Sequence, residues 1–217
     1  MNLRGFADEI FAWGRAQRVD ELALTWENHS RGAATVAERI AEKAGMDKDL
    51  AYAMGLLHDI GRYKGEKTGM NHIIYGYELM MEKGQPEIAR ICLTHSFNPK
   101  EKVKILNLDD LEKEKFVKEF VQNTEYDDYD RLIQLADFMA GSHGITTIER
   151  RFCSVLSRHE LPEPQQVLRK LYELKDYFDK KCGMNDIYDL FHEELNGAAF
   201  RGIPGDFREY CKKEEER

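Results

Sequence analysis

The sequence predicts an all-α fold on three observations. Apolar residues recur with helical rather than alternating period, and the only strand candidate is the short run at residues 102–106. Charged residues make up 33% of the chain, above the ~25% of average globular proteins, as many solvated helix faces require. At 217 residues and 42% apolar, the chain can bury one core, so residues 1–217 are read as a single domain with a C-terminal extension.

Taken in order, the N-terminal stretch MNLRGFADEIFAWGRAQRVDE is interrupted by charges every few residues and has no apolar leader, so a cytoplasmic protein is expected. Ala33, Val36, Ala37, Ile40 and Ala41 then fall at helical spacing and Gly45 closes the pattern, which predicts an amphipathic helix with His29 ahead of it. Asp47 and Asp49 can cap a second helix, whose apolar face is Leu50, Ala53, Met54 and Leu57 and whose end carries His58 and Asp59 before Gly61. A third helix is expected over about 73–83, stopped by Gly84 and Pro86. A fourth is expected over about 87–95, before the loop Ser96-Phe97-Asn98-Pro99.

Residues 100–124 are charge-rich and suit a peripheral helix, so they read as an insertion. The stretch TEYDDYD lacks an apolar face, whereas residues 131–140 are mostly apolar with Asp137 as their only acid. Helices over 164–181 and about 185–195 make a C-terminal helical extension spanning about 144–210, and CKKEEER reads as a solvated tail. Cys92, Cys153, Cys182 and Cys211 lie far apart with no C-x-x-C pair, which suits reduced thiols.

Charge and hydropathy exclude two classes of partner. A net charge of -8 repels a long polyanion, so no duplex nucleic acid is expected as a partner. No apolar run approaches the ~18 residues of a bilayer span, so no membrane partner is expected either.

The chemistry lies in the dipeptide His58-Asp59. With seven His and sixteen Asp in the chain, a random shuffle would hold about half of one such pair, so the dipeptide carries weight only in company. Company is present: His29, His72 and His95 each stand at a helix end, and Asp137 sits among Leu135, Ala136, Phe138 and Met139. A carboxylate buried there must meet a cation, a hydrogen-bond cluster or water. Four imidazoles and two carboxylates, about one per helix, are what a bundle needs to direct ligands inward around a two-metal site. Arg62, Lys64 and Lys67 follow the dipeptide and are candidate phosphate-binding residues, Arg62 being close enough to act beside the metals.

His29, then His58-Asp59 in HDIGR, then Asp137 in LADFM resemble the H…HD…D signature of the HD-domain metal-dependent phosphohydrolases, over about residues 28–141. His72 in NHIIYGYELMMEKG and His95 in CLTHSF resemble the extra pair of its dinuclear branch, which includes the HD-type diadenosine tetraphosphate hydrolases. The resemblance implies an HD-domain-like helical bundle. It also implies His29, His58, Asp59 and Asp137 on one metal, His72 and His95 on the other, and Asp59 bridging. Such mixed nitrogen and oxygen ligation suits Fe, Mn, Zn, Co or Ni.

The function expected is hydrolysis of a phosphoester or phosphoanhydride in a small phosphorylated metabolite, a nucleotide foremost. Two divalent ions would supply an activated water, with Asp59 and Arg62 at the reacting centre. The alternatives are a mononuclear nucleotidase of the same family and a non-catalytic HD-fold sensor or scaffold with a structural metal.

Overall fold

Why residues 22–43 form one long helix explains much of the architecture. Trp26, His29, Ser30, Ala33, Ala34 and Ala37 are all buried and stand at successive positions of a 3.6-residue stripe. The helix therefore runs through His29 instead of starting after it, and it spans Leu22–Lys43 as α2. In this computed structural model, which describes residues 1–17, 22–157 and 163–195, α2 lies at the centre of the bundle. It is preceded by α1 (Leu3–Gln17), which buries Ala7 and Phe11 and sets Phe11 edge-on to Trp26.

Asp47 accepts hydrogen bonds from the Asp49 and Leu50 amides at 3.0 Å and so starts α3 (Lys48–Leu57), as its sequence position predicts. Asp49 sits in the first turn, not at the cap. The two helices pack very closely: a Cβ at Gly55 would lie 2.8 Å from the Ala33 carbonyl oxygen and from the Ala34 Cα. Next come α4 (His72–Glu82) and α5 (Pro86–Thr94), each within a residue or so of the expected span, with Gly84 at φ +68 turning the chain between them.

Residues 100–124 hold a 3-10 turn at Lys100–Ile105 and α6 (Leu111–Asn123), and the strand candidate at 102–106 is not a strand. This segment is more than a surface appendage. Val103, Leu106, Leu108, Val117 and Val121 join Ile73, Ile74, Leu93 and Phe97 in a second apolar cluster behind α4. Asn71 and Asp109 then latch it to the start of α4 through a reciprocal pair of hydrogen bonds at 3.0 and 3.2 Å.

Helix α7 (Asp128–Phe138) starts earlier than apolar spacing suggests, because Asp127 caps it and Asp130 returns a bond to the Asp127 amide. A two-residue-per-strand hairpin, β1 (Ala140–Gly141) with β2 (Gly144–Ile145), then turns the chain into α8 (Ile148–Leu156). α9 (Pro164–Lys181) packs against α7. The expected helix over 185–195 is instead a short 3-10 turn at Ile187–Phe191, anchored where Asp179 accepts the Ile187 amide at 2.7 Å. The expected tail and Cys211 lie outside the described residues. Among the described residues no helix is long and apolar enough to cross a membrane.

Candidate metal centre

The helix ends bring the predicted side chains together. His29 lies inside α2, His58 ends α3 with Asp59 next, His72 opens α4, His95 ends α5, and Asp137 sits in the last turn of α7. All but Asp137 are buried, and the Asp137 side chain is 17% exposed.

Gly61 sets the distance between Asp59 and His72. A Cβ there would fall 2.0 Å from the His72 carbonyl oxygen and 2.5 Å from the Gly76 nitrogen, so the turn after Asp59 touches the α4 backbone directly. Close approach, not an unusual φ, is what requires glycine at this position.

Asp59 divides its carboxylate between two groups of imidazoles. Its Oδ1 lies 3.0 Å from His72 Nε2 and 3.5 Å from His95 Nε2, while its Oδ2 lies 4.0 Å from the Nε2 atoms of both His29 and His58. Asp137 Oδ1 approaches His29 Nε2 at 3.0 Å and His58 Nε2 at 3.9 Å. The atoms of His29, His58 and Asp59 lie within 4.8 Å of one another, and so do those of Asp59, His72 and His95, with Asp59 common to both groups.

The other ring nitrogens fix which atoms face inward. Nδ1 of His58 lies 2.6 Å from the Gly55 carbonyl and Nδ1 of His72 lies 2.6 Å from that of Gly69. Nδ1 of His29 and of His95 lie 3.1 Å from the carbonyls of Ala140 and Ile91. A carbonyl only accepts, so each Nδ1 carries a proton and each Nε2 faces the centre, as a bare lone pair where the ring is neutral. Burial lowers the His58 pKa to about 4 and also lowers that of His72, so both rings are neutral at pH 7.

Lone pairs therefore meet lone pairs. His29 Nε2 and His58 Nε2 lie 3.2 Å apart, and the buried Asp59 Oδ1 and His72 Nε2 have no hydrogen-bond partner despite their proximity. Burial pushes the Asp59 pKa up, but Arg62 foremost outweighs it and holds the carboxyl well below the usual range. Asp137 is likewise held low against its burial, by His29 first. Convergent imidazole and carboxylate donors crowded this closely fit a divalent metal ion.

Arg62 Nε donates to Asp59 Oδ2 at 2.5 Å, which places the guanidinium at the centre, as its sequence position suggests. Lys64 is exposed, with its ammonium 4.1 Å from the centroid of the Tyr75 ring, and the Lys67 side chain lies outside the described residues. His143 and His192 are exposed, and His159 is outside the described residues.

Two cations that sequence spacing did not single out flank the centre, one beside Asp137 and one beside His95. Arg151 on α8 comes to 4.0 Å from Asp137 Oδ1, and the Lys102 ammonium donates to the Ser96 carbonyl at 3.1 Å, one residue past His95. The signal for Arg151 was its i+3 offset from Ile148 with Phe152 at i+4, a short stripe made faint by the acid Glu149 on it. Glu149 is buried because it accepts from the hydroxyls of Tyr172 and Tyr188 at 2.8 and 3.2 Å, which pins α8 in place.

A hydrogen-bond relay steadies His95. Gln134 donates to the Thr94 carbonyl at 3.1 Å, the Thr94 hydroxyl donates to Asp130 at 2.7 Å, and Arg90 pairs with the buried Asp130 carboxylate. These residues carry no recognisable motif, and only the fold brings them together.

Comparison with known proteins agrees with this geometry. Residues 26–140 match the HD domain family. A 59-residue segment is 41% identical to ribonuclease Y of Aquifex aeolicus (strain VF5), covering 27% of this chain and 11% of that protein. A 68-residue segment is 37% identical to ribonuclease Y of Helicobacter acinonychis (strain Sheeba), covering 31% of this chain and 13% of the relative. The chain thus spans little more than a tenth of the length of these curated relatives. No solved structure gives a significant match.

Proposed function

The chain belongs to the HD domain family, and on that basis we propose that it is a metal-dependent phosphohydrolase. The observation that carries this is Asp59, whose two oxygens face separate imidazole pairs with no proton between the donors. A carboxylate so placed supports two ions. His29, His58 and Asp137 would complete one site on the Oδ2 side, and His72 and His95 the other on the Oδ1 side, as in the dinuclear branch that includes the HD-type diadenosine tetraphosphate hydrolases. The nitrogen-rich donor set favours Fe, Mn, Zn, Co or Ni.

Bound there, divalent ions lower the pKa of a water toward ~7 and offset the charge on phosphoryl oxygens. The protein's own contribution is positional. Four Nδ1–H···O=C contacts hold the imidazoles in one tautomer, Gly61 fixes the spacing of Asp59 and His72, and Arg62 keeps Asp59 ionised. No side-chain nucleophile is then needed.

For the substrate, a small phosphorylated metabolite, foremost a nucleotide, suits a protein of net charge -8 better than a long polyanion. RNA is a second reading, favoured by the two ribonuclease Y relatives, with which this chain shares segments of only 59 and 68 residues. The deciding experiment compares kcat/KM for nucleoside mono-, di- and triphosphates and dinucleotides with cleavage of single-stranded and duplex RNA, with each of the five metals. Preferred turnover of a small nucleotide supports the first reading, and preferred cleavage of single-stranded RNA replaces it with the second.

A further inference from the structure

Charge around the centre is out of balance. Two carboxylates, Asp59 and Asp137, face three side-chain cations, Arg62, Lys102 and Arg151, before any metal is counted. Arg62 is spent on Asp59, but the other two cations are not matched in this way. Arg151 stands 4.0 Å from Asp137 Oδ1, beyond hydrogen-bond distance. Its side chain is 19% exposed, and its buried Nε has no hydrogen-bond partner. Lys102 comes from the charged segment on the His95 side, its ammonium held by the Ser96 carbonyl. Burial lowers the Lys102 pKa, and Asp137 is the charge that counters this.

Once a divalent ion claims Asp137, that carboxylate no longer compensates Arg151 or Lys102, and both cations then stand beside more positive charge. Like charges held together in a partly buried site are costly unless an anion joins them. We propose that Lys102, from the His95 side, and Arg151, from the Asp137 side, form a two-sided anion seat at the metal centre, where they bind the non-bridging oxygens of a substrate phosphate. The segment at residues 100–124 thus contributes a substrate-binding residue as well as an apolar cluster, and α8, pinned through Glu149, contributes the other. Guanidinium and ammonium donors arriving from two directions suit a tetrahedral phosphate and leave its remaining oxygens toward the centre.

This inference rests on the phosphohydrolase reading, and the test separates the two. Inorganic phosphate is titrated calorimetrically into the full-length, metal-loaded protein and its variants, with metal content measured in each. Hydrolysis of bis(p-nitrophenyl) phosphate by the unsubstituted protein is followed in parallel. Lys102→Met and Arg151→Met should each weaken phosphate binding by about tenfold, the worth of one charge-assisted hydrogen bond. Metal content should stay unchanged, Lys102→Arg should recover most of the affinity, and the exposed Arg150→Met should change nothing. Lys102 lies on a short 3-10 turn with its ammonium on a backbone carbonyl, so its variants carry the test even if Arg151→Met fails to fold. Variants that bind phosphate as tightly as the unsubstituted protein, or that weaken it only by losing metal, overturn the anion seat while hydrolysis leaves the phosphohydrolase reading standing. Absence of hydrolysis of this diester and of nucleoside phosphates alike in the unsubstituted, loaded protein overturns that reading itself.

Discussion

His72 Nε2 lies 3.0 Å from Asp59 Oδ1, and neither atom has a proton to share, because the His72 proton is on Nδ1, directed at the Gly69 carbonyl 2.6 Å away. Two buried electron pairs at that separation repel unless a cation lies between or beside them. The bare His58 Nε2 likewise lies 3.2 Å from His29 Nε2. Removing shared donors should therefore have graded effects. Asp59→Ala should abolish hydrolysis and lower metal content at both sites, His72→Ala should lower it at one, and His192→Ala, exposed on the far 3-10 turn, should do neither. Elemental analysis and turnover of the three variants check this.

Gly61→Ala tests the spacing without touching a donor. The added methyl would sit 2.0 Å from the His72 carbonyl oxygen, so α4 must shift and His72 must leave Asp59. We expect a loss of more than about 3 kcal/mol of stability, or a folded protein with impaired metal uptake, read from urea denaturation and metal content. Wild-type stability with full metal uptake would show that the contact is not made.

Acid should destabilise the metal-free protein in a defined window. The His58 pKa is lowered by burial from 6.5 in the unfolded chain to about 4 in the folded one, so between those values the unfolded state binds the extra proton. The stability His58 contributes is fully present above pH 6.5 and is lost as pH falls through about 4, a change on the order of 3 kcal/mol. Below that, reprotonation of the depressed Asp59 and Asp137 removes more. Urea titrations in the presence of a chelator should show this decline, and His58→Gln should flatten its upper part.

Arg62→Ala should slow turnover more than it reduces metal content at pH 7. The guanidinium holds Asp59 ionised and stands at the reacting centre, whereas the ring donors that it leaves behind are intact. A variant that loses metal in proportion to activity would make Arg62 a support of the ligand shell alone.

Elements built on apolar spacing and capping were legible in the sequence. Asp47 and Gly84 marked their helix boundaries, and the helix ends at His58, His72 and His95 followed. What hid the rest was polar residues on buried stripes. His29 and Ser30 occupy the inward face of α2, and Glu149 that of α8, so each helix reads as broken or absent when only apolar residues are counted. The six residues stood out because His29, His72 and His95 accompany the His58-Asp59 pair at about one per expected helix end, and because Asp137 lies among Leu135, Ala136 and Phe138. Lys102 and Arg151 were not, since nothing in their local sequence tells that the turn at Lys100–Ile105 brings one to the Ser96 carbonyl beside His95 and the hairpin brings the other to Asp137.

The number of ions per chain tests the central claim most directly. Protein stripped with a chelator, reconstituted with excess Mn, Fe, Co, Ni or Zn and desalted should retain about two ions per chain by elemental analysis, since Asp59 serves both imidazole groups. Saturation at one ion would contradict the account and leave His72 and His95 as side chains that contact substrate, not metal.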